Sequence, residues 1–259
     1  MTDKNPRLSV AVITKNEEAN IRRTLESVKW ADEIVVIDSG STDRTIAICR
    51  EYTEAVISRE WQGYARQKNS AIDRTTGDWV LSLDADEPIE PALAEEIKAI
   101  ISSTDSLDGY RIPRKTIFLG KWVKHGGWYP DYNLRLFRKG KGRFQERAVH
   151  EAVRVEGTVG STRHAIEHHT YPDIASYMTR INSYSSLAVD VMADKGISKS
   201  KASWVMILMR PLLTFIHKYF FRRGFLDGKH GLVLNLFHSY YVLAKYAKAW
   251  EYRHRQKAQ

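Results

Sequence analysis

The sequence predicts an α/β protein with a mostly parallel central sheet flanked by helices, followed by a helical C-terminal region. Three observations predict it. Apolar, β-branched runs alternate with helix-period segments over roughly the first hundred residues, as parallel strands joined by crossover helices require. Those runs are apolar at consecutive positions, as in strands buried on both faces. From about Ile174 onward, apolar residues recur at helical spacing.

Composition narrows the class. The chain has 259 residues, 43% hydrophobic and 27% charged, which suits a folded globular protein. Its net charge of +9 suits phosphorylated small molecules, anionic lipid or nucleic acid. The basic residues are dispersed and no nucleic-acid motif is present, so nucleic acid is not an expected partner. The single cysteine, Cys49, excludes an internal disulfide and a cysteine-rich metal site. The N-terminus shows no long apolar run, so cytosolic residence is the expectation.

Leu8 to Thr14 reads as a buried strand, after which Asn16 is placed to cap a helix carrying Ile21, Leu25 and Val28 on one face. Glu33 to Asp38 is a second buried strand. Ser39-Gly40-Ser41-Thr42-Asp43 makes a turn, and a helix is expected from about Asp43 to Tyr52. Val56-Ile57 forms a short third strand, and Gly63 to Ile72 a helix carrying Arg66, Lys68 and Asn69. Trp79 to Leu83 is a fourth strand, and Glu90-Pro91 opens the next helix with proline in its first turn.

The fourth strand breaks into three acids, Asp84-Ala85-Asp86-Glu87. Open α/β sheets bind ligands at the carboxyl ends of their strands. Two carboxylates one residue apart repel each other unless a cation or donor groups stabilise them, and a hard divalent ion holding a diphosphate would do so. An acidic surface turn is the alternative. No Gly-x-Gly-x-x-Gly follows the first strand and no Gly-x-x-x-x-Gly-Lys occurs, so a nucleotide would be held by carboxylates and a metal instead of a glycine cradle.

Val12-Ile13-Thr14-Lys15-Asn16-Glu17-Glu18, Val35-Val36-Ile37-Asp38-Ser39-Gly40-Ser41-Thr42-Asp43 and Leu83-Asp84-Ala85-Asp86-Glu87 occur in that order. The ordered set resembles glycosyltransferase family 2, which has the GT-A nucleotide-sugar fold. The resemblance implies that Asp38 accepts a hydrogen bond from the donor base and that Asp84 lies by the ribose or donor sugar. It implies that Asp86 binds a divalent metal, Mg or Mn, bridging the diphosphate. Thr14 and Glu17 would line the nucleotide pocket, with Arg66 and Lys68 near the phosphates.

Residues 1–107 would then form the nucleotide-sugar-binding α/β half and 108–172 the acceptor side of the same domain. The latter is aromatic, glycine-rich and basic, with Trp122, Trp128 and Tyr129 suited either to a sugar-binding rim or to ordinary packing. Inverting transfer needs one general base to deprotonate the acceptor hydroxyl. Glu151, in a His-Glu pair similar to those of lipopolysaccharide-core members of the family, is the expected base, with Asp131 and Glu146 as rivals. The resemblance to GT-A enzymes, many of which use a late histidine as an extra metal ligand, implies that role for His168 among His164, His168 and His169, polar packing being the alternative.

Residues 173–259 form the helical C-terminal region. The apolar stretch from Trp204 to Phe221 is interrupted by Arg210-Pro211, too early for a spanning helix and suited to lying at a membrane surface, with Lys218, Arg222 and Arg223 toward anionic head groups. Internal packing on the catalytic domain is the alternative. Arg210-Pro211 and Gly224-Phe225-Leu226-Asp227-Gly228 resemble the lipopolysaccharide inner-core β-glucosyltransferases. That resemblance implies a metal-dependent inverting transferase moving a hexose, glucose by expectation, from a UDP-linked donor to an inner-core heptose. The partners would be the nucleotide sugar, a lipid-anchored oligosaccharide and an anionic membrane surface, with the protein peripheral to the cytoplasmic side of the inner membrane. Transfer to polyprenyl phosphate, capsule or protein, or a noncatalytic sugar-nucleotide-binding module, are the alternatives.

Overall fold

The computed structural model describes residues 6–146, 152–171, 173–194, 196–198 and 202–258. The first half alternates strand and helix: β1 (Leu8–Thr14), α1 (Ile21–Ser27), β2 (Glu33–Asp38), α2 (Thr45–Cys49), β3 (Val56–Ser58), α3 (Tyr64–Arg74), β4 (Trp79–Asp84) and α4 (Pro91–Ser102). Then come the strands β5 (Gly109–Phe118), β6 (Lys121–Val123), β7 (Asp131–Arg138), β8 (Gly142–Gln145), β9 (Ala152–Val155), β10 (Val159–Ser161) and β11 (Ile166–Tyr171). The chain closes with α5 (Ile174–Asp194), α6 (Trp204–Ile216) and α7 (Gly228–Ala258).

The α/β sheet flanked by helices is as expected. β3, β2, β1 and β4 lie side by side in that order and all run parallel. β7 then adds antiparallel to β4, β5 antiparallel to β7, and β10 parallel to β5. Every residue of β1 is buried, which is why its sequence carries no polar face. One face packs Val10, Val12, Leu81 and Leu83 against Ile21, Leu25, Leu93 and Ile97 of the flanking helices. The opposite face packs Ile13, Ile37 and Val80 against Ala65, Ala71 and Ile72 of α3. Gly77 is held to glycine by close approach, since a Cβ there would stand 2.8 Å from the Arg7 carbonyl oxygen.

The parallel register sets up everything that follows. Thr14 lies opposite Asp38, Asp38 opposite Ser58, and Ile13 opposite Asp84. The carboxyl ends of β4, β1, β2 and β3 therefore form one row.

Two local expectations are corrected. Asn16 does not cap α1, which starts at Ile21; its backbone is left-handed (φ 53°) and its side chain reaches the next loop. The helix expected from Asp43 to Tyr52 is only Thr45–Cys49, because the Asp43 carboxylate accepts the backbone N–H and the hydroxyl of Thr45 and delays the start.

The chain divides into two compact units, residues 1–115 with 131–169 and residues 116–130 with 170–259. Thr116–Pro130, read from sequence as part of the acceptor side, belongs to the unit of the C-terminal helices. Phe118 and Val123 are buried there with Tyr177, Ile181 and Leu234. Asp227, buried in that unit, accepts the backbone N–H groups of Lys124 and His125 at 3.1 and 2.7 Å and pairs with the His125 ring at 3.0 Å. No helix among the described residues is long and apolar enough to cross a membrane.

Candidate active site

The loops after β1 and β2 are sewn together at the row of strand ends. Asn16 Oδ1 accepts the Thr42 N–H at 2.8 Å, and the Asn16 N–H donates to Ser41 Oγ at 2.8 Å. The Glu17 N–H donates to Thr45 Oγ1 at 2.8 Å, while the Glu17 carboxylate accepts from Asn20 at 2.9 Å. Asp38 is fully buried and forms the turn that follows it. One oxygen accepts the N–H groups of Gly40 and Ser41 at 2.9 and 3.0 Å, and the other accepts the Ser41 hydroxyl at 2.5 Å. Its observed work is to shape the loop. Thr14 is also buried, and its hydroxyl has no hydrogen-bond partner among the described residues. An orphaned buried hydroxyl at a strand end is a ready contact for a ligand.

The end of β4 holds a compact cluster of charge. Lys68, delivered by α3 and almost fully buried, pairs with Asp84 Oδ1 at 2.8 Å. Arg135, from β7, donates to Asp84 Oδ2 at 2.9 Å and to Glu87 Oε1 at 2.7 Å. Glu87 is fully buried; its other oxygen accepts the Asp84 backbone N–H at 3.0 Å. Arg114, from β5, reaches Glu87 at 3.4 Å and Asp131 at 2.7 Å. Three cations thus face three carboxylates. Burial alone would raise the Asp84 carboxyl above its ordinary value, but Lys68 and Arg135 outweigh burial and hold it well below the usual carboxylate range.

Asp86 stands apart from that cluster. β11 brings His168 to it, with His168 Nε2 3.3 Å from Asp86 Oδ2. Backbone bonds enforce the approach, the His169 N–H to the Asp86 carbonyl at 3.1 Å and the Glu167 N–H to the Pro88 carbonyl at 3.1 Å. The other two histidines are placed otherwise. His164 pairs with Glu96 on α4 at 2.9 Å, and His169 with Glu167 at 2.8 Å.

A divalent ion fits this arrangement in one specific way. The described residues hold no group of three or more His, Cys, Asp or Glu side chains that could hold a metal ion. Asp84 is engaged by two cations, and the candidate donors at this edge are the oxygens of Asp86 and the nitrogen of His168. The Asp86 carboxylate suits Mg or Mn, hard ions that take one or two carboxylates with their remaining positions filled by substrate phosphates and water, and the His168 imidazole would be the softer donor beside it. The donor set suits an ion that arrives with a diphosphate.

The remaining expected residues are distributed as follows. Arg66 makes a bidentate pair with Glu146, at 2.9 and 3.1 Å, on the surface of α3. Asp131 accepts two bonds from Arg114. Glu151 lies outside the described residues. Sequence reasoning passed over Glu87, Arg114 and Arg135. The one signal for Arg135 was a cation inside the apolar run Leu134 to Phe137.

Comparisons with known proteins give the family. The family model described as "Glycosyl transferase family 2" matches residues 9–168. The lipopolysaccharide core biosynthesis glycosyltransferase LpsC of Rhizobium meliloti is 31% identical over 97% of this chain and 94% of its own length. The chain belongs to glycosyltransferase family 2. It is a glycosyltransferase. An uncharacterized glycosyltransferase of Rickettsia felis is 30% identical over 95% of this chain and 90% of its own. Among solved structures, S. aureus TarS 1–349 superposes with a TM-score of 0.49 at 16% identity, covering 93% of this chain and 91% of that one.

The charge cluster makes a pH-dependent prediction. Asp84 has a lower pKa folded than unfolded, so its pairing stabilises the fold fully above the ordinary value of 3.8 and loses that effect as pH falls below it. Lys68→Met should cost about 3 kcal/mol at neutral pH. Urea denaturation should show the gap to wild type narrowing at a pH of about 3; an equal gap at both pH values would contradict the pairing.

Proposed function

We propose that this protein is a metal-dependent, inverting hexosyltransferase that moves glucose from a UDP-linked donor to a heptose of the lipopolysaccharide inner core. The observation that carries the reading is the division of labour at the end of β4. Asp84 is locked by Lys68 and Arg135, while Asp86 and His168 face each other at the same edge, 3.3 Å apart, with donor atoms suited to a metal. The likeness to LpsC, a lipopolysaccharide core biosynthesis enzyme, supports the acceptor class.

In this reading Asp86 and His168 hold Mg or Mn. The bound ion would supply Lewis-acid neutralisation of the diphosphate. Thr14, with its orphaned hydroxyl, and Glu17 line the nucleotide pocket, and Asp38 holds the pocket's loop in shape. Lys68 adds positive charge beside the leaving group, and Asp84 is fixed in orientation for the ribose or donor sugar. Arg66 lies on the outer side of the same helix. Glu151 takes the proton of the acceptor hydroxyl; the acceptor oxygen bonds to the anomeric carbon as the bond to the diphosphate breaks, and UDP leaves with the electron pair. Both rival bases are held by arginines. The Glu146 carboxyl is lowered by its bond to Arg66, which weakens it as a base.

The second unit supports work at a membrane surface on the cytoplasmic side. α6 has no buried residue, and Trp204 and Phe221 are 73% and 77% exposed. Residues 195–226 contain Lys195, Lys199, Lys201, Arg210, Lys218, Arg222 and Arg223 and no Asp or Glu. Exposed aromatics beside unbalanced positive charge suit an anionic bilayer, where each cation near the surface contributes about 1 kcal/mol. Lys218 is the exception among the cations expected to face head groups. It donates to the Gly126 carbonyl at 3.2 Å and lies over the Trp128 ring, and its partial burial lowers its pKa.

A transfer assay with UDP-glucose and heptose-terminated core oligosaccharide tests the chemistry. Asp86→Ala should reduce turnover more than about a hundredfold with an unchanged melting temperature, and EDTA should stop the wild-type reaction until Mn or Mg is restored. Activity persisting in EDTA would remove the metal from the account. Glu151→Gln should lose transfer while still binding UDP-glucose; near-normal turnover would pass the base to Asp131 or Glu146. For the membrane, vesicles containing phosphatidylglycerol should bind the protein at low salt, and Trp204→Glu with Phe221→Glu should weaken binding about tenfold. Equal binding to neutral phosphatidylcholine vesicles would discount the role of charge.

A further inference from the structure

A groove of about 430 Å³ lies in the first unit, between the β8–β9 hairpin and the larger sheet. β8 and β9 form a two-stranded sheet of their own, with Phe144, Val153 and Val155 packed toward Leu134 and Phe137 of β7. Gly109 lets β9 settle on β5, since a Cβ there would stand 3.1 Å from Val155 Cγ2. Tyr110 and Ile112 pack toward the face that carries α1 and α4. Strand alternation then places Arg111 with Gly109 on the β9 side.

The lining joins apolar walls to unused positive charge. Leu134, Val153, Val155 and Val159 supply the walls, and Arg111 and Arg154, both exposed, supply the charge. Among the described residues neither guanidinium makes a hydrogen bond or an ion pair. Their neighbours differ. Arg114, three residues further along β5, holds Glu87 and Asp131, and Arg143, opposite Arg154 in the hairpin, holds Asp73. No Asp or Glu is among the described residues that line the groove.

That combination selects a ligand class. Concave, largely apolar walls with a few convergent polar groups are the usual form of a small-molecule site. A guanidinium presents a planar fork of donors that matches a carboxylate or a phosphate. Valine and leucine suit the C–H face of a sugar ring. Position narrows the ligand further. Gln145 and Ala152 also line the groove and stand opposite each other in the hairpin. Glu151 directly precedes Ala152 in the chain, and consecutive Cα atoms are about 3.8 Å apart. A ligand in the groove therefore lies beside the residue that the reading above makes the general base.

We infer that the groove seats an acidic substituent of the acceptor, a phosphate ester or a sugar carboxylate, with Arg111 and Arg154 as its cations. This rests on the base and acceptor assigned above and adds a selection to them. Acceptors that carry the acid near the glycosylated hydroxyl are preferred to neutral ones of the same sugar sequence.

Acceptor kinetics test the inference. Heptose-terminated core oligosaccharide is compared with the same material stripped of phosphate by hydrofluoric acid, and with material whose carboxyl groups have been reduced. Wild type should show a KM about tenfold higher for the preparation that has lost the seated group, which separates phosphate from carboxylate. Arg111→Gln should raise the KM for untreated acceptor about tenfold and narrow the difference between preparations. Adding Arg154→Gln should erase that difference, and Arg111→Lys should keep part of it. Because neither arginine has a partner in the described protein, the variants should melt with wild type. Equal wild-type KM values for all three preparations would overturn the seat, as would an Arg111→Gln loss equally large on every preparation. Either result leaves Glu151 standing as the base, since Glu151→Gln is read in kcat. If Glu151→Gln turns over normally while Arg111→Gln behaves as stated, the base moves and the seat holds. If wild type transfers to none of the preparations, the acceptor reading fails and the seat with it.

Discussion

The fully buried Glu87 is the constraint on which the site depends. A carboxylate with no access to water costs several kcal/mol unless it is paired and hydrogen-bonded. Glu87 meets that demand by binding Arg135 and Arg114 with one oxygen and the Asp84 backbone with the other. These bonds tie together β4, β5 and β7, and Arg135 extends the network to Asp84, where Lys68 brings in α3. Each element is held partly by apolar packing and partly by a charge that has nowhere else to go. The network fixes the last residue of β4, and the chain immediately beyond it carries Asp86.

That arrangement explains why two aspartates one residue apart are so different. Asp84 is spent on the scaffold, with both oxygens engaged by cations from two other elements. Asp86 faces the histidine that β11 carries in. Neutralising one carboxylate with cations and setting the other beside a histidine relieves the repulsion that adjacent acids would otherwise suffer. In the proposed reading, the same edge would receive the donor's diphosphate. Asp38 follows the same logic on β2, using its charge to hold a turn in place.

The sequence made the parallel half of the sheet legible, because strands buried on both faces carry uninterrupted apolar runs and their ends carry acids. β1, β2 and β4 needed nothing more. The late start of α2 is local, set by Asp43 on Thr45; the other failures come from contacts between residues far apart in the chain. Asn16 looks like a helix cap until Ser41 and Thr42 come within reach. Glu87 reads as a surface acid until Arg135, 48 positions later, neutralises it. Local pattern could not show that Thr116–Pro130 packs with the C-terminal helices, since the partners of Phe118 lie beyond residue 170. The Asp86 carbonyl draws β11 alongside, which brings His168 to Asp86 while His164 pairs with Glu96.

The account stands on Asp86 and His168 holding an ion completed by the donor's diphosphate. The most direct measurement is an anomalous difference map from crystals grown with UDP and Mn. The account predicts a single strong peak bonded to Asp86 and His168 and to the diphosphate oxygens, with Asp84 still on Lys68 and Arg135. Bound UDP with no peak there, or an ion held by Asp84 after Lys68 has withdrawn, would contradict it.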